Sequence, residues 1–129
     1  MFSIIIGFIL IVLSGLFEAI MDKLQFHFYK SIFILKENQQ FWNPELSWKN
    51  KYKEDLITEK FIGSKTIFVF LTDAWHIFKM LRTITLFISI SIISYNCDTP
   101  IELIIYVSIC RILFGISFTL FFSKILNRR

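Results

Sequence analysis

Asp22, His27, Asp73 and His76 are the residues of this chain whose types suit chemistry, and Glu18 stands one helical turn before Asp22. Two imidazoles and two or three carboxylates are enough for a divalent metal such as zinc, which takes about four protein ligands in a structural site and three plus a water in a catalytic one. Asp73 lies three residues before His76, a spacing at which a carboxylate can accept the imidazole N–H and fix its tautomer. Asp22, His27, Asp73 and His76 are therefore the candidate metal ligands, with Glu18 as a carboxylate behind them. Such a site would serve a reaction on lipid, or an ion-coupled one, at a membrane surface. His27 and His76 also offer one axial imidazole from each of two helices, which is what a b-type haem needs. No short-spaced motif of the H-E-x-x-H kind marks the set. The plainer reading of the same residues is a hydrogen-bonded polar cluster that ties two helices together.

The elements that must position these residues are three long apolar stretches, Phe2 to Phe17, Leu81 to Tyr95 and Ile101 to Phe122. A bilayer core takes about 20 residues of apolar helix to cross, so the expected fold is an all-α polytopic membrane protein with spans over about 2–21, 78–96 and 101–122. The whole chain is then one transmembrane domain, with a loop over about 22–77 lying on one face. A fourth span over Phe61 to Met80 is the alternative. Composition agrees: 55% of residues are hydrophobic and 19% charged, against about a quarter charged in soluble domains. Because the loop leaves and re-enters the same face, Glu18, Asp22 and His27 reach a depth similar to that of Asp73 and His76.

The net charge of +4 does not point to nucleic acid, because the basic residues are spread over the loop, the start of the second span and the tail. Asp22 to Lys65 carries eight Lys, Asn96 to Pro100 none, and the end carries Lys124, Arg128 and Arg129. The positive-inside rule then expects the N-terminus outside a cell's inner membrane, the loop and C-terminus in the cytoplasm and the Asn96–Pro100 turn outside. The fourth-span alternative strands one basic segment outside. Met1 to Phe17 has no basic residue and no A-x-A-like cleavage site follows, so it reads as a retained anchor. Cys97 and Cys110 are about 14 Å or more apart along a helix, beyond disulfide reach within one chain. No G-x-S-x-G elbow, Walker loop or paired-Cys zinc pattern occurs, and two histidines are too few for a membrane di-iron oxygenase.

Polar and small residues gather in seams. Ser3, Gly7, Ile11, Ser14, Glu18, Asp22, Gln25 and Tyr29 follow at steps of four and three on the first helix, a face on which another helix can approach closely. Ser108, Arg111, Gly115 and Thr119 form another seam on the last. Arg111 falls near mid-membrane, where an Arg costs about 3 kcal/mol on insertion scales. With three helices too few to enclose a large core, that residue asks for neighbours. The leading functional expectation is thus a structural, accessory or interaction subunit of a membrane assembly, a homo-oligomer or a complex with a partner membrane subunit. The alternatives are a metal-dependent membrane enzyme at the inner leaflet and a b-haem anchor.

Asp22-Lys23-Leu24-Gln25-Phe26-His27, Trp42-Asn43-Pro44 with Ser47-Trp48-Lys49-Asn50-Lys51, and Thr72-Asp73-Ala74-Trp75-His76 together resemble a family of small bacterial polytopic membrane proteins without an assigned activity. That likeness covers most of residues 15 to 80 and implies a polytopic fold with no mechanism attached. Trp75-His76 with Asp22 is also faintly similar to the metal-dependent membrane hydrolases of the alkaline ceramidase type. That family carries a further His where Thr72 stands, and seven spans.

Overall fold

In a computed structural model describing residues 2–128, the chain is mostly helical, with turns joining the helices. Helix α1 (Phe2–Phe26) leads into two 3-10 turns, Phe28–Lys30 and Ile32–Leu35, and two single-turn helices, α2 (Gln39–Trp42) and α3 (Trp48–Lys51). After a run of turns come α4 (Ala74–Tyr95) and α5 (Pro100–Leu120), the last continued by a π turn to Ile125. Three helices are long and apolar enough to cross a membrane: α1, α4 and α5 with its extension. The all-α membrane fold expected from the apolar runs is the one formed. Phe61 to Thr72, proposed as part of a fourth span, folds instead as turns and one 3-10 turn over Val69–Leu71.

Each helix boundary has a local cause. Asp73 is extended, at φ −157° and ψ 162°, and its carboxylate accepts the His76 backbone N–H, so α4 starts four residues before the expected boundary at 78. Thr99 does the same for the Glu102 N–H, with Pro100 in the first turn where its missing N–H costs nothing. Glu102 in turn accepts from the Asp98 N–H at 3.0 Å, closing the turn between α4 and α5. Helix α1 runs on to Phe26, past the expected end at 21.

Helix α1 lies between the other two and packs against both, whereas α4 and α5 touch each other little and leave a cleft. The seam of small residues on α1 faces α4. Ser3 donates to Asn96 at 2.9 Å, Ser89 donates to the Gly7 carbonyl at 2.8 Å, and Ser14 is fully buried. On the α5 side Ser117 donates to the Val12 carbonyl at 2.6 Å. Such interhelical hydrogen bonds contribute roughly 0.6–2 kcal/mol each in a membrane, and they require backbones close enough for a short side chain to span. Gly7 and Gly15 provide that closeness: a Cβ on Gly15 would stand 2.8 Å from the Phe114 carbonyl oxygen.

The loop caps the end of the bundle where α1 finishes and α4 begins. Phe28 and Phe33 are buried there with Ala19, Leu24, Ala74 and Leu126, and the Trp42 ring stacks on Phe33 at 5.1 Å. The chain's last residues join it, since Ile32 donates its N–H to the Leu126 carbonyl and Arg128 donates to that of Lys30. Lys23, 3% exposed, lays its ammonium over the Phe122 ring and donates to Asn127 at 2.7 Å.

Candidate functional site

Where α4 begins, Thr72, Asp73 and His76 form a compact polar knot. His76 Nδ1 lies 2.7 and 2.8 Å from the two Asp73 oxygens. A carboxylate only accepts, so Nδ1 carries a proton. The Thr72 hydroxyl bonds the Val69 carbonyl at 2.7 Å and donates to Asp73 at 3.1 Å as its second acceptor. Burial works to raise the Asp73 pKa. Hydrogen bonds from the His76 ring and backbone amide, the His76 charge and the Thr72 hydroxyl outweigh that, and the carboxyl is held below its ordinary value of 3.8.

The segment bearing Trp48 to Lys51 supports this knot from below. Asn50 donates to the Thr72 carbonyl at 2.8 Å and to the Gln40 carbonyl at 3.0 Å, while Gln40 returns a bond to the Asn50 side chain at 2.6 Å. One Asn thus ties α2, α3 and the start of α4 together. A recess of about 240 Å³ opens beside the knot, lined by Gln25, Pro44, Ser47, Asp73, Trp75 and His76. The Trp75 Nε1 is buried and has no hydrogen-bond partner among the described residues.

The other expected ligands go elsewhere. Glu18, expected behind a metal, meets Arg82 of α4 at 2.6 Å. His27 lies just beyond the end of α1, exposed, with its ring edge-on to Phe122 at 5.4 Å. Asp22, half-buried on the last turns of α1, makes no hydrogen bond or ion pair among the described residues. Among those residues no three His, Cys, Asp or Glu side chains gather closely enough to hold a metal ion. Asp73 and His76 alone come together, short of the three or four ligands zinc uses, so no step through a metal follows. The two imidazoles are held by different neighbours, Phe122 and Asp73, and no haem chemistry follows from them either.

Arg111 is the other unusual residue. It is exposed on α5, with no ion-pair partner among the described residues, and its Nη1 lies over Gly115, 3.7 Å from where a Cβ would be. Ser108 and Thr119 of the same seam are also exposed, because α5 turns Cys110 and Ser117 inward instead. The Glu18–Arg82 pair was missed from sequence. Its signal was present: both residues sit near the inner boundary of the spans expected to hold them. No family model, curated protein or solved structure matches the chain.

Proposed function

We propose that this protein is a structural or accessory subunit of a membrane assembly, oriented with its N-terminus outside and its loop and C-terminus in the cytoplasm. The single observation that carries the reading is Arg111, an exposed guanidinium near the middle of a 26-residue apolar helix, without an acid beside it among the described residues. Left facing lipid it costs about 3 kcal/mol or more, and a neighbouring subunit is the ordinary way to offset that. The exposed seam of Ser108, Arg111 and Thr119 supports the same reading, since small and polar residues on a membrane helix mark where another helix packs. Orientation rests on the eight Lys of Asp22–Lys65 and the basic tail.

The recess beside His76 is read as part of the inner cap. The Asp73–His76 pair is accounted for by helix capping and loop attachment, and the recess gathers no further titratable group. Blue-native electrophoresis of the protein extracted in mild detergent tests the reading. A species well above the 15.4 kDa chain with its detergent is expected; a stable monomer as the sole species contradicts it.

A further inference from the structure

Arg111 stands at the rim of the cleft that α4 and α5 leave open, a space of about 360 Å³ walled by Ile11, Leu86, Ile90, Val107 and Phe114. Its helix with the π extension runs from Pro100 to Ile125, which puts its backbone about 16 Å from one end and about 21 Å from the other. The side chain bends inward over Gly115, a level still about 15 Å from Ile125. It therefore stays within the hydrocarbon.

Among the described residues no Asp or Glu has its backbone at that level. Of the ten acidic residues, Glu18, Asp22 and Glu102 alone fall within the spanning helices. Gly15 packs against Phe114 and Ser117, so the Glu18 and Asp22 backbones sit about one and about two turns inward of the Gly115 level that the Arg111 guanidinium reaches. Glu18 is already engaged with Arg82. Glu102 is nine residues outward, about 13 Å along the helix, and holds the Asp98 N–H.

Depth also excludes a second copy as the source of the acid. Copies with the same orientation, related by an axis along the bilayer normal, keep every residue at its own level. Such an axis brings Arg111 towards another Arg111, and the nearest carboxylate in depth, Glu18, is already held by Arg82. An inverted copy would place the basic loop and tail on the outer side, against the positive-inside bias.

We infer that the cleft receives a transmembrane helix of a different protein, one that carries an Asp or Glu near the midpoint of its span and pairs it with Arg111. This rests on the reading of the chain as an assembly subunit and names the partner's chemistry. The physical logic is mutual: a lone Arg and a lone carboxylate are each expensive in hydrocarbon, and each is the group that offsets the other. The apolar walls accept the partner's side chains while the charge pair sets its depth, which gives selectivity against helices without an acid.

The test places a photo-crosslinking amino acid at Val107, one turn outward of Arg111 on the cleft wall, in the full chain in its native membrane. The expected product is an adduct with a second protein whose crosslinked span bears an Asp or Glu within about two turns of its midpoint. That adduct is expected to fall about tenfold with Arg111→Leu and to persist with Arg111→Lys. Adducts with the chain itself alone, with lipid alone, or with a helix lacking a mid-span acid overturn the inference. Self-adducts alongside a large native species leave the assembly reading standing and remove this one; lipid adducts alongside a monomer remove both.

Discussion

Glu18 and Arg82 meet at 2.6 Å across the interface between α1 and α4, with side chains 26% and 33% exposed. The pair lies one turn beyond the buried Ser14, so two helices that share a small-residue seam over the first half of α1 are locked by charge towards its other end. Removing one partner leaves the other charge at the edge of hydrocarbon, and that penalty exceeds the net value of the pair itself. Glu18→Gln or Arg82→Gln is expected to cost about 1–3 kcal/mol, and the double variant less than the sum of the singles. Equilibrium unfolding in mixed detergent micelles reads this. Strict additivity would mean the two residues act independently.

Gly15 and Gly115 are expected to respond differently to alanine. At Gly15 the new Cβ would stand 2.8 Å from a backbone oxygen and 2.9 Å from the Ser117 Cβ, so α5 must move away and about 1–3 kcal/mol is lost. At Gly115 the nearest atom is the end of the Arg111 side chain at 3.7 Å, an ordinary contact, and stability should stay within about 0.5 kcal/mol. Equal melting temperatures for the two variants would refute the close approach of α1 to α5.

Asp73 joins helix cap and imidazole partner, and its pKa is depressed. A group with a lowered folded pKa contributes stability that is fully present above its unfolded value and is lost as pH falls through the folded one, so this contribution holds at neutral pH and fades below about the ordinary value of 3.8. Asp73→Ala should cost about 1–2 kcal/mol at neutral pH through loss of the cap, and Asp73→Asn, which keeps a capping oxygen, less. Unfolding curves at pH 7 and pH 3 should show the wild-type advantage over Asp73→Asn shrinking at the lower pH. An advantage that grows on acidification has the wrong sign for this account.

The proposed sidedness rests on the basic loop. Cys97 in the outer turn should react with an impermeant maleimide applied outside, and a Cys placed at Asn50 should not. Partial burial, with the Glu102 and Asp98 carboxylates, pushes the Cys97 thiol up from its ordinary value, so its labelling should quicken as pH rises. Both positions reacting from one side would invalidate the three-span topology.

Much of this architecture was legible because membrane spans and seams are one-dimensional signals. The apolar runs mark three helices, and steps of four and three from Ser3 to Glu18 mark the face that α4 covers. What the seam residues touch depends on the rotation and depth of the second helix, which spacing along one helix does not carry. That is why depth alone puts Glu18 behind a metal, whereas its partner is Arg82. His27 was placed with the other ligands by depth alone, whereas α1 ends at Phe26 and the chain turns it towards Phe122. The Asp73–His76 contact was readable because both residues lie within one turn.

The sign of the effect of Arg111→Leu on assembly tests the central claim most directly. If Arg111 is merely tolerated in lipid, replacing it with Leu removes a cost of about 3 kcal/mol and should leave the assembled fraction unchanged or higher. The account predicts the reverse: measured by mass photometry after extraction in mild detergent, the assembled fraction falls with Arg111→Leu and is largely kept with Arg111→Lys. An assembled fraction for Arg111→Leu equal to or above that of the unaltered chain would contradict it.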